Sequence, residues 1–148
     1  MGCVLLLVAA SPLHARLTPA APDDLPLAAR AVLERVAVAF LDGDHEGLAA
    51  LVHPDGVRLG LGPDPERITE LTPAQSHYYF KALFRSSHCI AFDYQRHQAT
   101  ADARVLARAV WRGERHDRGD VELRRLLVTL ARHPDGWRLT ELTALRGR

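Results

Sequence analysis

The C-terminal half of the chain contains four strand-like runs that are separated only by short connections. In each run apolar and polar residues tend to alternate, as expected for a half-buried strand. Connections as short as QATAD, GERHDRGD and HPDG join neighbouring antiparallel strands. The sequence therefore predicts a C-terminal antiparallel meander, with strands at residues 88–97, 103–112, 121–132 and 137–144.

The residues before this meander carry helix signals. Residues 26–43 have apolar side chains at helical spacing, with Pro26 in the first turn and Gly43 as a stop. Asp44 then caps a short second helix. After it we expect a strand at residues 57–61 and a Pro-rich loop.

A third helix is predicted from a capping box. Thr72 and Gln75 stand at the capping positions and Pro73 occupies the first helical position, which is a strong start signal. We expect this helix to end near Arg85. Its predicted buried side consists of Ala74, Tyr78, Tyr79, Ala82 and Leu83.

The tetrapeptide HPDG occurs twice, at residues 53–56 and 133–136. Its Pro presets φ, its Asp bonds the local backbone and its Gly supplies a positive φ, so the motif reverses a chain without any ligand. The copies share no further pattern, and one follows a helix while the other follows a strand. We interpret HPDG as one turn used twice, not as an internal repeat or a pair of metal-binding arms.

The first residues have the pattern of an export signal. An apolar run and a Ser-Pro break precede Ala15, which ends a loose small-residue cleavage site. The run is far shorter than the ~20 residues of a membrane-spanning helix. We expect a signal peptide at residues 1–15, a linker at 16–25 and one domain at 26–146, exported to a periplasm or secreted.

The charge is unevenly distributed, although the formal net charge is only +1. From Arg96 onward the chain has twelve Arg and seven acidic residues. These Arg residues alternate with apolar ones, as on the solvent face of a strand, and form no cluster with interleaved aromatic residues. The pattern gives no indication of nucleic-acid binding.

No spacing in the sequence indicates a metal or cofactor site. The His residues lack the i,i+2 or i,i+4 spacings of metal ligands, and no Ser or Cys lies in a strained elbow. After removal of a signal peptide, Cys89 would be the single thiol, and a buried structural role is the simplest interpretation.

Asp93 is the carboxylate with the clearest potential for chemistry. Strict alternation would place Asp93 and His97 on one face of their strand. Such a face could form the polar end of a pocket. The other residues expected on it are Cys89, Ala91 and Gln95, and those expected on the opposite face are Ile90, Phe92 and Tyr94.

Three segments, residues 37–59, 72–84 and 126–142, resemble the nuclear transport factor 2-like superfamily, and more narrowly its short exported bacterial domains of uncharacterised function. The resemblance implies an α+β cone with three N-terminal helices and a curved antiparallel sheet that ends in the meander. It also implies a pocket at the wide end of the cone. Ketosteroid-isomerase-like members have a catalytic Asp that corresponds to Leu59 or its neighbour, but Arg58 and Gly60 flank Leu59 here, so that base is missing.

These observations favour an exported, non-enzymatic domain that binds a small apolar ligand or a protein partner and forms a homodimer through its sheet. The predicted pocket-lining residues are Phe40, Tyr79, Leu83, Asp93 and Trp111.

Two alternatives remain open. One is a small-molecule enzyme of the isomerase, cyclase or dehydratase type, with Asp93 or His97 as acid/base and Tyr79 as hydrogen-bond donor. The other is a structural cell-envelope interaction module, whose core would be filled solidly by Trp111, Trp137, Phe40 and Phe92.

Overall fold

The four predicted C-terminal strands pair in chain order. A computed structural model describes residues 25–62, 64 and 66–147. Its helices are α1 (Leu27–Asp42), α2 (His45–Ala49) and α3 (Pro73–Ser86). Its strands are β1 (Val57–Gly60), β2 (Thr69–Leu71), β3 (Ser87–Ala99), β4 (Arg104–Arg115), β5 (Val121–His133) and β6 (Gly136–Ala144).

The strands of the described chain form one curved, open sheet in the order β2-β1-β6-β5-β4-β3. The predicted meander is confirmed, because β3 to β6 are antiparallel neighbours. β1 differs in direction, since it runs parallel to β6. The α+β class and the three N-terminal helices are confirmed as well.

The helix signals before the sheet act as predicted. Gly43 adopts φ +64°, and its N–H donates to the Ala39 and Phe40 carbonyls, which ends α1. The Asp44 carboxylate accepts a 2.8 Å hydrogen bond from the Gly47 N–H and so begins α2.

The segment predicted as a Pro-rich loop contains a strand. Thr69–Leu71 pairs antiparallel with β1 and covers the edge that β1 would otherwise leave open. Three residues are too few to display a period of two, so this strand gave no periodic signal in the sequence.

The capping box of α3 is confirmed, but its predicted buried side is right only for Tyr79 and Leu83, which are partly buried against the core. Ala74, Tyr78 and Ala82 are exposed, whereas Ser76 and Phe80 are fully buried. The prediction ignored Ser76 because it is polar. Its hydroxyl donates a 2.6 Å hydrogen bond to a carbonyl in the preceding turn, so it is satisfied without water.

The core lies between the helices and one face of the sheet, here called the inner face, to which Phe92, Trp111 and Leu126 belong. Phe40 of α1 is fully buried against this face. Its ring centroid lies 4.7 Å from that of Phe92 and 5.5 Å from that of Trp111. Aromatic contacts thus hold α1 on the sheet.

Two β-bulges in β3 make the predicted alternation wrong. The register with β4 shifts between Cys89 and Ala91 and again between Tyr94 and Arg96. Each shift exchanges the faces of the residues that follow. Cys89 and His97 therefore share the inner face, while Asp93 lies on the outer face.

Both HPDG segments form turns, as predicted. Gly56 has φ +116° and Gly136 has φ +118°. In each turn the His Nδ1 accepts the N–H of the Asp, at 3.1 Å for His53 and 3.2 Å for His133. The two imidazole rings pack edge to face with centroids 5.3 Å apart, so the two copies of the motif lie side by side.

Residues 1–24, with the predicted signal peptide and nearly all of the predicted linker, lie outside the described residues. Leu25, the last residue of that linker, is buried in the core. Among the described helices, none is both long and apolar enough to span a bilayer.

Candidate ligand-binding site

A cavity of about 180 Å³ opens on the inner face at the end of the sheet where β4 turns into β5. The end of β1, the C-terminal turn of α3 and strands β4 and β5 form its walls. The lining residues are Leu61, Gly62, Leu83, Ser86, Ser87, Trp111, Gly113, Arg115, Glu122 and Arg124.

Trp111 is the largest apolar side chain of this cavity. Its indole is almost completely buried, and a side chain at Gly113 would approach the ring to 3.1 Å. Gly113 therefore permits the indole to lie close along β4. The indole Nε1 has no hydrogen-bond partner among the described residues.

Arg124 lies across the indole. The register of β4 and β5 places it directly opposite Trp111, with its guanidinium carbon 5.4 Å from the ring centroid. It donates hydrogen bonds to the Leu61 carbonyl and the Glu122 carboxylate. Arg115 approaches that carboxylate from the other side, with Nη1 3.9 Å from Oε1. Glu122 is therefore held between two guanidinium groups.

Tyr79 holds the backbone of Leu61 in the cavity wall. Its hydroxyl oxygen accepts a 2.9 Å hydrogen bond from the Leu61 N–H. Burial raises the pKa of Tyr79, while this hydrogen bond and the charge of Arg124 act in the opposite direction. Tyr79 and Arg124 together hold both backbone polar groups of Leu61.

The hydroxyl and thiol groups near the cavity are not activated as nucleophiles. Ser86 and Ser87 both donate hydrogen bonds to the Leu83 carbonyl. Burial raises the pKa of the Cys89 thiol to about 11, against smaller opposite effects from the Trp111 side chain and the Ala91 backbone. The thiol is therefore protonated at neutral pH.

Solved structures with the same fold are numerous, although their sequences differ strongly. A DUF4783 family protein from Bacteroides uniformis aligns with a TM-score of 0.63 at 13% identity, over 78% of this chain and 96% of its own. A related protein from Bacteroides ovatus gives 0.61 at 13%, over 77% and 94%. A ketosteroid isomerase-like protein from Erwinia carotovora atroseptica gives 0.60 at 16%, over 80% and 94%.

The chain has a nuclear transport factor 2-like fold. No protein-family model matches the sequence, and the comparison with curated proteins finds no match. At these identities the structural likeness extends to the fold alone.

The resemblance assigned the catalytic Asp of ketosteroid-isomerase-like members of this fold to Leu59 or its neighbour. Leu59 is fully buried. Its neighbour Arg58 pairs with Glu141, 3.6 Å away. The nuclear transport factor 2-like scaffold is thus present here with an aliphatic residue at that position.

The predicted pocket residues occupy three environments. Leu83 and Trp111 line the cavity. Phe40 supports Trp111 from behind, and Tyr79 supports Leu61. Asp93 is exposed on the outer face, opposite Val110, and does not line this cavity.

His97, the other acid/base candidate, points to the opposite face of β3 from Asp93. It lies on the inner face opposite Ala107, four residues along β4 from the Phe92–Trp111 pair. The structure therefore does not bring the two candidates together. Within the described residues no cluster of three or more His, Cys, Asp or Glu could hold a metal ion.

The charged residues of the cavity were missed by the sequence analysis. It interpreted alternating Arg as a solvent face, which holds for Arg104, Arg108 and Arg112, since all three are exposed. Arg124 instead shares the inner face with Trp111, and its side chain is only 19% exposed. The one available signal was Glu122 at i,i+2 from Arg124, a spacing that places both on one face.

Proposed function

We propose that this exported domain binds a small, largely apolar ligand in the Trp111 cavity and does not catalyse proton transfer there. The observation that carries the proposal is the cavity itself. Phe40, Phe92, Trp111 and Trp137 are all buried, yet space of about 180 Å³ remains beside Trp111. An apolar cavity of about 150 Å³ accepts a benzene molecule, so a ligand with one ring or a short chain fits.

The cavity side chains support a binding role more than an enzymatic one. A general base must be free to accept a proton from its substrate. The Glu122 carboxylate accepts a hydrogen bond from Arg124 and lies 3.9 Å from Arg115, and the Cys89 thiol is protonated at neutral pH. Asp93 lies on the other face of the sheet.

Native mass spectrometry of the mature chain, purified from the envelope of its host, tests this proposal. We expect a bound small molecule in the wild type and its loss in Leu83→Phe, which fills the cavity. Leu41→Phe is the matched control, because Leu41 is exposed on α1. An empty wild type, or equal occupancy in Leu83→Phe, would contradict the proposal.

Export to the periplasm or the medium is part of this proposal and rests on residues 1–15. The apolar run and the Ala15 site are its support. N-terminal sequencing of the protein from its host should give Arg16 as the first residue. A protein that retains Met1 and stays in the cytoplasm would contradict it.

We also propose that two copies associate through the outer face of the sheet. Two large apolar side chains on this face are exposed to solvent, Val121 to 55% and Leu123 to 63%. It carries both charge signs, with Arg108 and Arg112 beside Asp93, so a second copy offers complementary groups. Light scattering should show a dimer in the wild type and a monomer in Leu123→Glu. Val38→Glu, on the exposed side of α1, should remain a dimer.

A further inference from the structure

The cavity has an apolar half and a charged half. Leu61, Leu83 and Trp111 provide the apolar surface. Arg115, Glu122 and Arg124 lie together in the charged half. A ligand that uses the whole cavity therefore carries an apolar body with a polar group at one end.

Arg115 has a guanidinium nitrogen that no described residue satisfies. Asp117 accepts hydrogen bonds from its Nε at 3.0 Å and its Nη2 at 2.8 Å, which fixes the plane of the group. Nη1 is left 3.9 Å from the Glu122 carboxylate, which is beyond hydrogen-bond distance. The oriented Arg115 can thus donate to a further acceptor in the cavity.

The charge of the cavity favours an anion as that acceptor. Two guanidinium groups line it against the single carboxylate of Glu122, which Arg124 already engages. A cationic ligand would find no free carboxylate. Asp117 is more than half exposed, so solvent screens its charge from the cavity.

A neighbouring depression is also rich in arginine. Arg124 and Gly62 line it, together with Arg125 and Arg146. Arg146 pairs with Glu66, but within the described residues no carboxylate lies within ion-pair distance of Arg125. Arg125 pairs with Val110, so it lies on the outer face and not in the cavity.

We infer that the ligand is a small organic acid whose apolar part lies among Leu61, Leu83 and Trp111 and whose carboxylate is bound by Arg115 and Arg124. Arginine suits this role because its fork matches a carboxylate. Glu122 is then a competitor for the same guanidinium groups. The inference rests on the proposed function, since it concerns the ligand of the same cavity.

The test compares three acids, benzoate, phenylacetate and hexanoate, with their primary amides. Calorimetric titration measures the Kd of each with the wild type and three variants. In the wild type we expect at least one acid to bind about tenfold or more tightly than its amide, as a charge-assisted hydrogen bond provides. Arg115→Gln should abolish this preference with little change for the amide.

Glu122→Gln is the decisive variant. Removal of the competing carboxylate should tighten acid binding several-fold, whereas a merely structural role of Glu122 would weaken it or leave it unchanged. Arg35→Gln is the control, because it removes the same charge from an exposed position on α1. Urea unfolding of each variant checks that the fold is intact.

The outcomes separate the two proposals. Amides that bind as well as the acids would overturn the inference and leave the cavity as a site for neutral ligands. If no acid or amide binds, while Leu83→Phe still displaces a co-purified molecule, the inference is overturned and the proposed function stands. If the wild type is also empty as purified, both are overturned.

Discussion

The two ends of the meander are built differently, although each contains a hairpin of β5. At one end, the two HPDG turns pack against each other and their His Nδ1 atoms accept local N–H groups. At the other end, Trp111, Arg115, Glu122 and Arg124 surround a cavity, and Val121 and Leu123 are exposed. At the first end each turn has its own local hydrogen bond and the two turns meet through their His rings, whereas the second end depends on side chains from four elements.

Because of this difference, we expect stability to depend on backbone geometry at the HPDG end and on side-chain packing at the cavity end. Four substitutions or conditions test it, in order of decreasing effect.

The largest effect is expected for Phe40→Ala. Phe40 is fully buried and supports Trp111, so its removal should lower the free energy of unfolding by about 3–5 kcal/mol. Urea denaturation measures the change. Val38→Ala on the exposed side of α1 should cost less than about 0.5 kcal/mol. A small effect at Phe40 would mean that the cavity end repacks easily.

At the HPDG end, Gly56→Ala and Gly136→Ala form a matched pair. Both positions have a positive φ, which strains any other residue by about 1–3 kcal/mol. A Cβ at position 56 would also lie 2.8 Å from the Leu71 carbonyl oxygen, while position 136 has open space. Gly56→Ala should therefore be the more destabilising in thermal unfolding. Equal losses of stability would show that the positive φ alone determines the cost of the substitution.

A smaller effect is expected for His133→Ala. The substitution removes the acceptor of the Asp135 N–H and the ring contact with His53, a loss of about 1 kcal/mol. Chemical denaturation is sensitive enough to detect it. His116→Ala is the control, because His116 is exposed in the β4–β5 hairpin. No loss at His133 would mean that Pro and Gly are sufficient for the turn.

The smallest effect concerns pH and the buried thiol. Burial raises the pKa of Cys89 to about 11 from its ordinary value of 9.0. Since the unfolded chain loses this proton first, the thiol's contribution to stability is complete below about pH 9 and falls as pH rises toward 11. By pH 9 the loss should be under about half a kcal/mol. The free energies of unfolding of the wild type and Cys89→Ala, measured between pH 7 and 9, separate the effect of the thiol from that of the buried tyrosines.

Elements with a local signal were predictable from the sequence. Gly43, Asp44 and the capping box at Thr72 each satisfy backbone groups within a few residues, so the pattern determines the structure. The HPDG turns and the order of the meander were predictable for the same reason.

The candidate site was less predictable because it depends on register. The β-bulges of β3 leave no mark in the amino-acid pattern, so Asp93 and His97 were expected on one face and lie on opposite faces. Arg124 has the same sequence pattern as the exposed Arg residues. Only its position opposite Trp111 on the next strand makes it a cavity residue.

The parallel pairing of β1 with β6 has a consequence for how the chain folds. Arg58 pairs with Glu141 and Gly60 pairs with Thr143, so β6 joins the β1–β2 hairpin to the rest of the sheet. Contacts between segments so distant in sequence form slowly, because a long loop must close first. Until β6 has been synthesised, β1 and β5 each lack a neighbour, and a nascent chain would expose two unpaired strand edges to chaperones or to other copies of itself.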